Sequence, residues 1–188
     1  MAAIAKHFPG HGAVIADSHT ALPVDRREFV DLEADMRPYR PLNDNNLAGI
    51  MAAHVVFPAV DAYPASLSKR WITQILRGEL GFHGCVFADD LSMAGAVAFG
   101  DVIERAGLAL DAGCDVLPIC NDRHSVELVL KAFGANVGSA ASQARLVRMR
   151  ARGEPPVDLR ANRHWQETAA RIASLSVIPP LVLTEGQS

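Results

Sequence analysis

The sequence is short of cysteine, of net charge and of long apolar runs, and each shortage excludes a class of protein. Its three cysteines, Cys85, Cys114 and Cys120, are odd in number and irregular in spacing, so no disulfide framework is expected. Cys85 and Cys114 lie in or beside apolar runs and read as small core residues kept reduced in a cytosolic setting. The formal charge is only -3, without the basic footprint that nucleic acid or an anionic membrane surface requires. No apolar stretch is long enough to span a bilayer. The start, MAAIAKHFPGHG, lacks the basic and then extended apolar pattern of a secretory signal. No solenoid-period repeat and no low-complexity segment is present.

What remains is the composition of an ordinary globular protein: 49% apolar and 21% charged residues in a chain of 188, enough for one domain with a real core. Short apolar runs alternate with helical periodicity. The runs are residues 2–7 (AAIAKH), 47–56 (LAGIMAAHVV), 84–88 (GCVFA) and 115–119 (DVLPI). Helices are predicted at 26–36, with Asp25 as N-cap, and at 68–80, where Trp71, Ile72, Ile75, Leu76 and Leu80 share a face and Ser68 caps. Further helical stretches are predicted within 92–112, 125–133, 139–150 and 162–175, and residues 178–188, with Pro179 and Pro180, read as a tail.

Strand, loop and helix repeated about four times predict an α/β fold with a parallel sheet, in which the loops after the strands carry the chemistry. The polar residues fall at those places. Lys6 and His7 close the first run, His54 lies near the end of the second, Asp89 and Asp90 end the third, and Asn121 and Asp122 follow the fourth. A complete (β/α)8 barrel needs eight strands and about 250 residues, so four strands are half a barrel.

Two places concentrate reactive groups. KHFPGHGAVIADSH, residues 6–19, holds Lys6, three histidines and Asp17 in a loop whose Pro9, Gly10 and Gly12 allow tight turns. Asp17 and His19 can form an acid/base dyad, the carboxylate fixing the imidazole tautomer and raising its basicity. His7, His11, Asp17 and His19 could instead ligate a metal, although their spacing is not that of a helix-borne HExxH or a CxxC pair. Ser18 is without the G-x-S-x-G elbow of a serine hydrolase. The second place is FADDLSM, residues 87–93, where a carboxylate at a strand's end can serve as nucleophile. Asp89 reads as that group, and Asp90 as an N-cap or an acceptor that holds the loop.

KHFPGHG followed by DSH, then MAAHVVFPAVDAYPASLS and ILRGELGFHGCVFADDLSMAGA in that order, resembles the β-N-acetylglucosaminidases of glycoside hydrolase family 3, most closely the bacterial cytoplasmic branch. The resemblance covers residues 2–133. It implies a TIM-type (β/α)8 barrel, of which this chain would supply the carboxyl-terminal half, with residues 1–177 a partial catalytic domain. It further implies a retaining glycosidase that removes terminal, non-reducing β-linked N-acetylglucosamine from peptidoglycan fragments. By that resemblance Asp89 is the nucleophile, His19 the acid/base and Asp17 its assistant. Lys6 and His7, with His54, bind the sugar, and neither metal nor organic cofactor is implied. The partner implied is a β-GlcNAc glycoside or muropeptide, in the cytoplasm, without nucleic acid or membrane. Where family members usually carry Ser before the nucleophile, Ala88 stands here. The segment that supplies further sugar ligands in the family, an aspartate and an arginine, has no match. An open half-barrel exposes a sheet edge, through which self-association is expected. The alternatives are a carbohydrate-binding remnant without turnover and a metal-dependent hydrolase.

Overall fold

The computed structural model describes residues 2–16, 18, 21–134, 138–150 and 158–175. The chain divides into two compact units, Met1–Ala151 and Arg152–Ser188. In the second, residues 158–175 are described: a turn and then the helix Arg163–Leu175. The expected tail, 178–188, lies outside the described residues.

The first unit is an α/β fold around a parallel sheet of β1 (Ile4–Phe8), β2 (Gly49–Ala52) and β3 (Cys85–Phe87), in that spatial order. β1 pairs Lys6 with Met51 and Phe8 with Ala52, so His7 is an extra residue on its strand. Such a bulge re-aims a side chain at the end of a strand. The fourth predicted strand forms no ladder. Val116 makes a parallel bridge to Phe87, and its carbonyl accepts from Ala88 at 3.0 Å. Pro118 has no N–H to extend the pairing. Residues 115–119 nevertheless lie along β3, and the Leu91 N–H reaches the Pro118 carbonyl at 2.9 Å.

The core sits between the sheet and the helices that connect its strands. Trp71 is fully buried at its centre, with the rings of Phe57, Phe8 and Phe29 at centroid distances of 5.1, 5.9 and 6.2 Å. Trp71 belongs to the helix Arg70–Glu79, whose turns are wider than those of an α-helix; at its end the Leu80 N–H bonds the Ile75 carbonyl, five residues back. The apolar pairs 71/75 and 72/76 suit either winding, so periodicity does not distinguish them. Ser68 caps this helix as expected, its Oγ accepting from the Trp71 N–H at 3.1 Å.

Other boundaries move. The first helix is Phe29–Met36, and Asp25 does not cap it: its carboxylate takes the backbone N–H and guanidinium of Arg27 instead. A short helix, Tyr39–Asp44, was not anticipated. The stretch 92–112 is two helices, Ala94–Val97 and Val102–Ala112, parted at Gly100, whose φ of +106° favours glycine. Asp101 then opens the second with a capping box to Glu104. The helices Arg123–Phe133 and Ala140–Arg148 follow. Cys85 and Cys114 are buried, and burial pushes the Cys85 thiol up to about 11.

Asp115 fastens the end of the sheet away from the reactive loops. Its carboxylate, with 1% of its side-chain surface exposed, bonds Arg77 Nη2 at 2.9 Å and Arg145 Nη2 at 2.7 Å, and accepts from the Val86 N–H at 2.9 Å. Desolvation opposes its charge, but the two guanidiniums and the Val86 N–H hold its carboxyl below the usual range.

Candidate active site at the ends of the strands

Lys6, His7, His54, Asp89 and Asp90 all come from the carboxyl-terminal ends of β1–β3 or the segments just beyond them, as the alternation of runs predicts. Asp89 follows β3 and is 7% exposed. Its Oδ1 accepts the Asp90 N–H at 3.0 Å, and its Oδ2 lies 3.9 Å from His7 Nε2. The bulge in β1 thus brings His7 alongside the carboxylate, while Lys6 stands exposed at the same strand end. His11 stacks edge-on near His7, with ring centroids 6.2 Å apart.

Asp90 occupies a different environment from its neighbour. Its Oδ1 accepts from the Ser92 N–H at 2.9 Å, the Ser92 hydroxyl at 2.8 Å and the Cys120 N–H at 3.0 Å. These bonds outweigh desolvation and lower its carboxyl below the ordinary value. The second of the two aspartates therefore ties the β3 loop to the segment after 115–119.

His54 was expected against the sugar. It is instead wholly buried, and both ring nitrogens are used inside the protein. Nε2 donates to the Asp90 carbonyl at 2.9 Å. That leaves Nδ1 as the acceptor, and the Ser66 hydroxyl donates to it at 2.5 Å. Burial lowers its pKa, against the pull of the Asp89 and Asp90 charges, and the nearby Arg105 cation lowers it further. His54 holds the Asp90 peptide from below, one residue from Asp89.

The loop after β1 is pinned on both sides. Gly10 runs so close to the helix Phe29–Met36 that a Cβ there would lie 2.8 Å from the Cβ of Asp35. Beyond the loop, Val24 bridges to Val56, with the Val56 N–H donating to the Pro23 carbonyl at 3.0 Å and the Asp25 N–H to the Val56 carbonyl at 2.9 Å. Arg27 then joins Asp25 and Asp35. Asp17 and His19 lie outside the described residues; Ser18 between them is described and is 5% exposed.

This layout, a carboxylate following β3 and a Lys-His pair at the same end of β1, with β2 between the two strands, has relatives. Residues 1–151 match the family described as Glycosyl hydrolase family 3 N terminal domain. The chain belongs to glycosyl hydrolase family 3. The match places these residues in that domain of the family rather than in a later one. The family 3 chain is 45% identical over 180 residues to a protein named Beta-hexosaminidase in Nitrosospira multiformis, covering 94% of this chain and 51% of that one. A Beta-hexosaminidase of Methylobacillus flagellatus is 49% identical over 150 residues, 79% of this chain and 43% of that one. Among solved structures, NagZ from Neisseria gonorrhoeae in complex with N-trifluoroacetyl-D-glucosamine superposes with a TM-score of 0.74 at 36% identity, covering 94% of this chain and 51% of that one. The chain thus spans about half the length of these relatives.

Sequence reasoning missed Ser66 and Cys120 as parts of this family 3 site. They act through a hydroxyl and a backbone N–H, which carry no motif. Among the described residues no group of three or more His, Cys, Asp or Glu side chains is placed to hold a metal, and half of the alternative metal set, Asp17 and His19, lies outside them. No helix among the described residues is long and apolar enough to cross a membrane.

Proposed function

We propose that this chain forms part of a (β/α)8 barrel in a retaining β-N-acetylglucosaminidase, acting on terminal β-linked N-acetylglucosamine of peptidoglycan fragments in the cytoplasm. The observation that carries the proposal is Asp89, a nearly buried carboxylate at the end of β3, aimed by the Asp90 N–H at 3.0 Å and lying 3.9 Å from His7 Nε2. The names of its relatives, Beta-hexosaminidase and NagZ, support the substrate class.

In this reading Asp89 attacks the anomeric carbon as the glycosidic bond breaks, giving a covalent glycosyl-enzyme. His19, protonated, donates to the leaving oxygen and then, as base, takes a proton from the water that releases the sugar. Asp17 stabilises the imidazolium and raises its basicity. Lys6 and His7 hold sugar hydroxyls beside the carboxylate. His54 acts through the Asp90 peptide rather than by touching sugar. Because His54 stays neutral in its buried position, it can fix that peptide without placing a second cation beside the nucleophile.

A second reading is favoured by one fact: the chain spans 51% of the Nitrosospira relative. A part of a barrel could keep the motifs as a carbohydrate-binding remnant without turnover. Hydrolysis of an aryl β-N-acetylglucosaminide by the chain completed to a full-length barrel, with His19→Ala beside the wild type, separates the two. The catalytic reading expects slowed turnover in the variant and a covalent adduct that builds up with an activated leaving group. No turnover by either, together with retained binding of N-acetylglucosamine, would establish the remnant.

A further inference from the structure

We propose that Ser66 is a positioning residue for Asp89, its hydroxyl fixing the His54 ring so that the ring holds the backbone of Asp90, which in turn holds the Asp89 carboxylate. The proposal rests on the reading of Asp89 given above. The groups lie in series. The Ser66 hydroxyl meets His54 Nδ1 at 2.5 Å, His54 Nε2 meets the Asp90 carbonyl at 2.9 Å, and the Asp90 N–H donates to Asp89 Oδ1 at 3.0 Å. Ser66 and His54 are both wholly buried, so bulk water does not compete for these atoms.

The backbone sets Ser66 opposite His54. Beyond β2 the chain turns back on itself, and Pro64, just before the tight turn Ala65–Leu67, bridges antiparallel to Val56. The Ala65 N–H donates to the Val55 carbonyl at 2.9 Å, and the Ser66 N–H to the Ala53 carbonyl at 3.0 Å. Those two carbonyls belong to the residues on either side of His54. The Ser66 carbonyl in turn accepts from the Cys114 thiol at 3.5 Å. Ser68, two positions on, is committed elsewhere: its hydroxyl donates to Asp61 Oδ2 at 2.5 Å and accepts from the Trp71 N–H at 3.1 Å.

The two bonds of the His54 ring are coupled. The Asp90 carbonyl can only accept, so Nε2 carries the proton and Nδ1 keeps a lone pair for the Ser66 hydroxyl. Turning the ring over about its Cβ–Cγ bond would set Cδ2 against Ser66 and Cε1 against the Asp90 carbonyl, and both bonds would be lost at once. With alanine at 66, only the Asp90 bond opposes that turn. The buried Nδ1 would also have no donor, which costs more than the net value of the bond itself. Asp90 then loses the one side chain that grips its carbonyl, and its N–H carries Asp89 Oδ1 with it. Misplacement of a reacting group by about 1 Å can cost about a hundred-fold in rate.

The test has two arms. In the 188-residue chain carrying isotope-labelled histidine, His54 should be protonated at Nε2 alone, with the Nδ1 resonance shifted by an accepted hydrogen bond. Ser66→Ala should remove that shift and speed exchange of the Nε2 proton about ten-fold, the factor that one buried hydrogen bond supplies. His54 protonated at Nδ1 in the wild type, or an Nε2 proton equally protected in Ser66→Ala, would overturn the proposal. In the chain completed to a full-length barrel, Ser66→Ala should lower kcat about ten-fold with KM unchanged, kcat being counted per site that a slow fluorinated N-acetylglucosaminide labels. A merely structural defect would reduce the number of labelled sites and leave kcat per site as in the wild type, and that result would also overturn the proposal. If Ser66→Ala does not fold, Ser66→Cys, a weaker donor of similar size, replaces it with the same directions expected. Failure of the underlying reading shows separately: the wild-type barrel would then take no label at Asp89, whatever the state of the His54 ring.

Discussion

Replacing Asp115 by alanine should be among the most destabilising single changes in the chain. The carboxylate is 99% withdrawn from solvent and neutralises two guanidiniums, Arg77 and Arg145, each with 18% of its side-chain surface exposed. Burial already pushes the Arg77 guanidinium down from its ordinary value, a sign of how poorly water reaches it. Truncation would leave two desolvated cations facing each other and the Val86 N–H without the carboxylate oxygen that accepts from it. Breaking a buried ion pair by removing one partner costs about 3–5 kcal/mol, and the unmet Val86 N–H adds to that. Against a total of about 5–15 kcal/mol for a typical domain, this is a large fraction. Urea unfolding followed by tryptophan fluorescence should show the midpoint fall by about 2 M, taking about 2 kcal/mol/M for the slope. Asp115→Asn, which keeps one acceptor oxygen, should lose less. A loss under about 1 kcal/mol for Asp115→Ala would refute the view that this ion cluster holds residues 115–119 against β3.

Stability should fall with acid in two stages. His54 is titrated near 6.5 when unfolded and lower when folded, so its contribution is complete above 6.5 and is lost as pH falls from there toward the folded value, at up to about 1.4 kcal/mol per pH unit. Asp25, Asp90 and Asp115 have lowered folded values, so their contribution persists above the unfolded value of 3.8 and disappears below it. Melting curves between pH 7.5 and 3 check this, and His54→Asn should flatten the upper stage alone. Asp90→Asn should reduce hydrolysis far less than Asp89→Asn, because an amide oxygen can still accept from Ser92 and Cys120; equal losses measured on an aryl glycoside would contradict the division of roles. The 188-residue chain alone should turn over poorly and self-associate through its open sheet edge, which light scattering and the same assay can contradict by finding an active monomer.

Much of this arrangement was legible in the sequence because strands buried on both sides are read as apolar runs and their ends as the first polar residues. That logic located β1, β2 and β3 and put Lys6, His7 and Asp89 at one end of the sheet. It failed where one residue overrode the pattern. Pro118 removed the N–H that a fourth ladder needed, and an acidic residue before a helix, Asp25, found a better partner in Arg27 two positions on. His54 was placed by its position at a strand's end, but position along the chain does not say which way an imidazole points. Only the fold showed that Ser66 and the Asp90 carbonyl occupy both its nitrogens. Cys120 contributes a backbone N–H, which every residue but proline has, so no motif could announce it.

Asp89 as the nucleophile of a glycosidase is tested by trapping the covalent intermediate itself. The barrel should be completed with the remaining length of the Nitrosospira multiformis relative, incubated with a slow-turnover fluorinated N-acetylglucosaminide and digested for mass spectrometry. One added sugar is expected on the peptide that contains Asp89, and none in Asp89→Asn. A sugar on a different residue, or undiminished hydrolysis by Asp89→Asn, would contradict it.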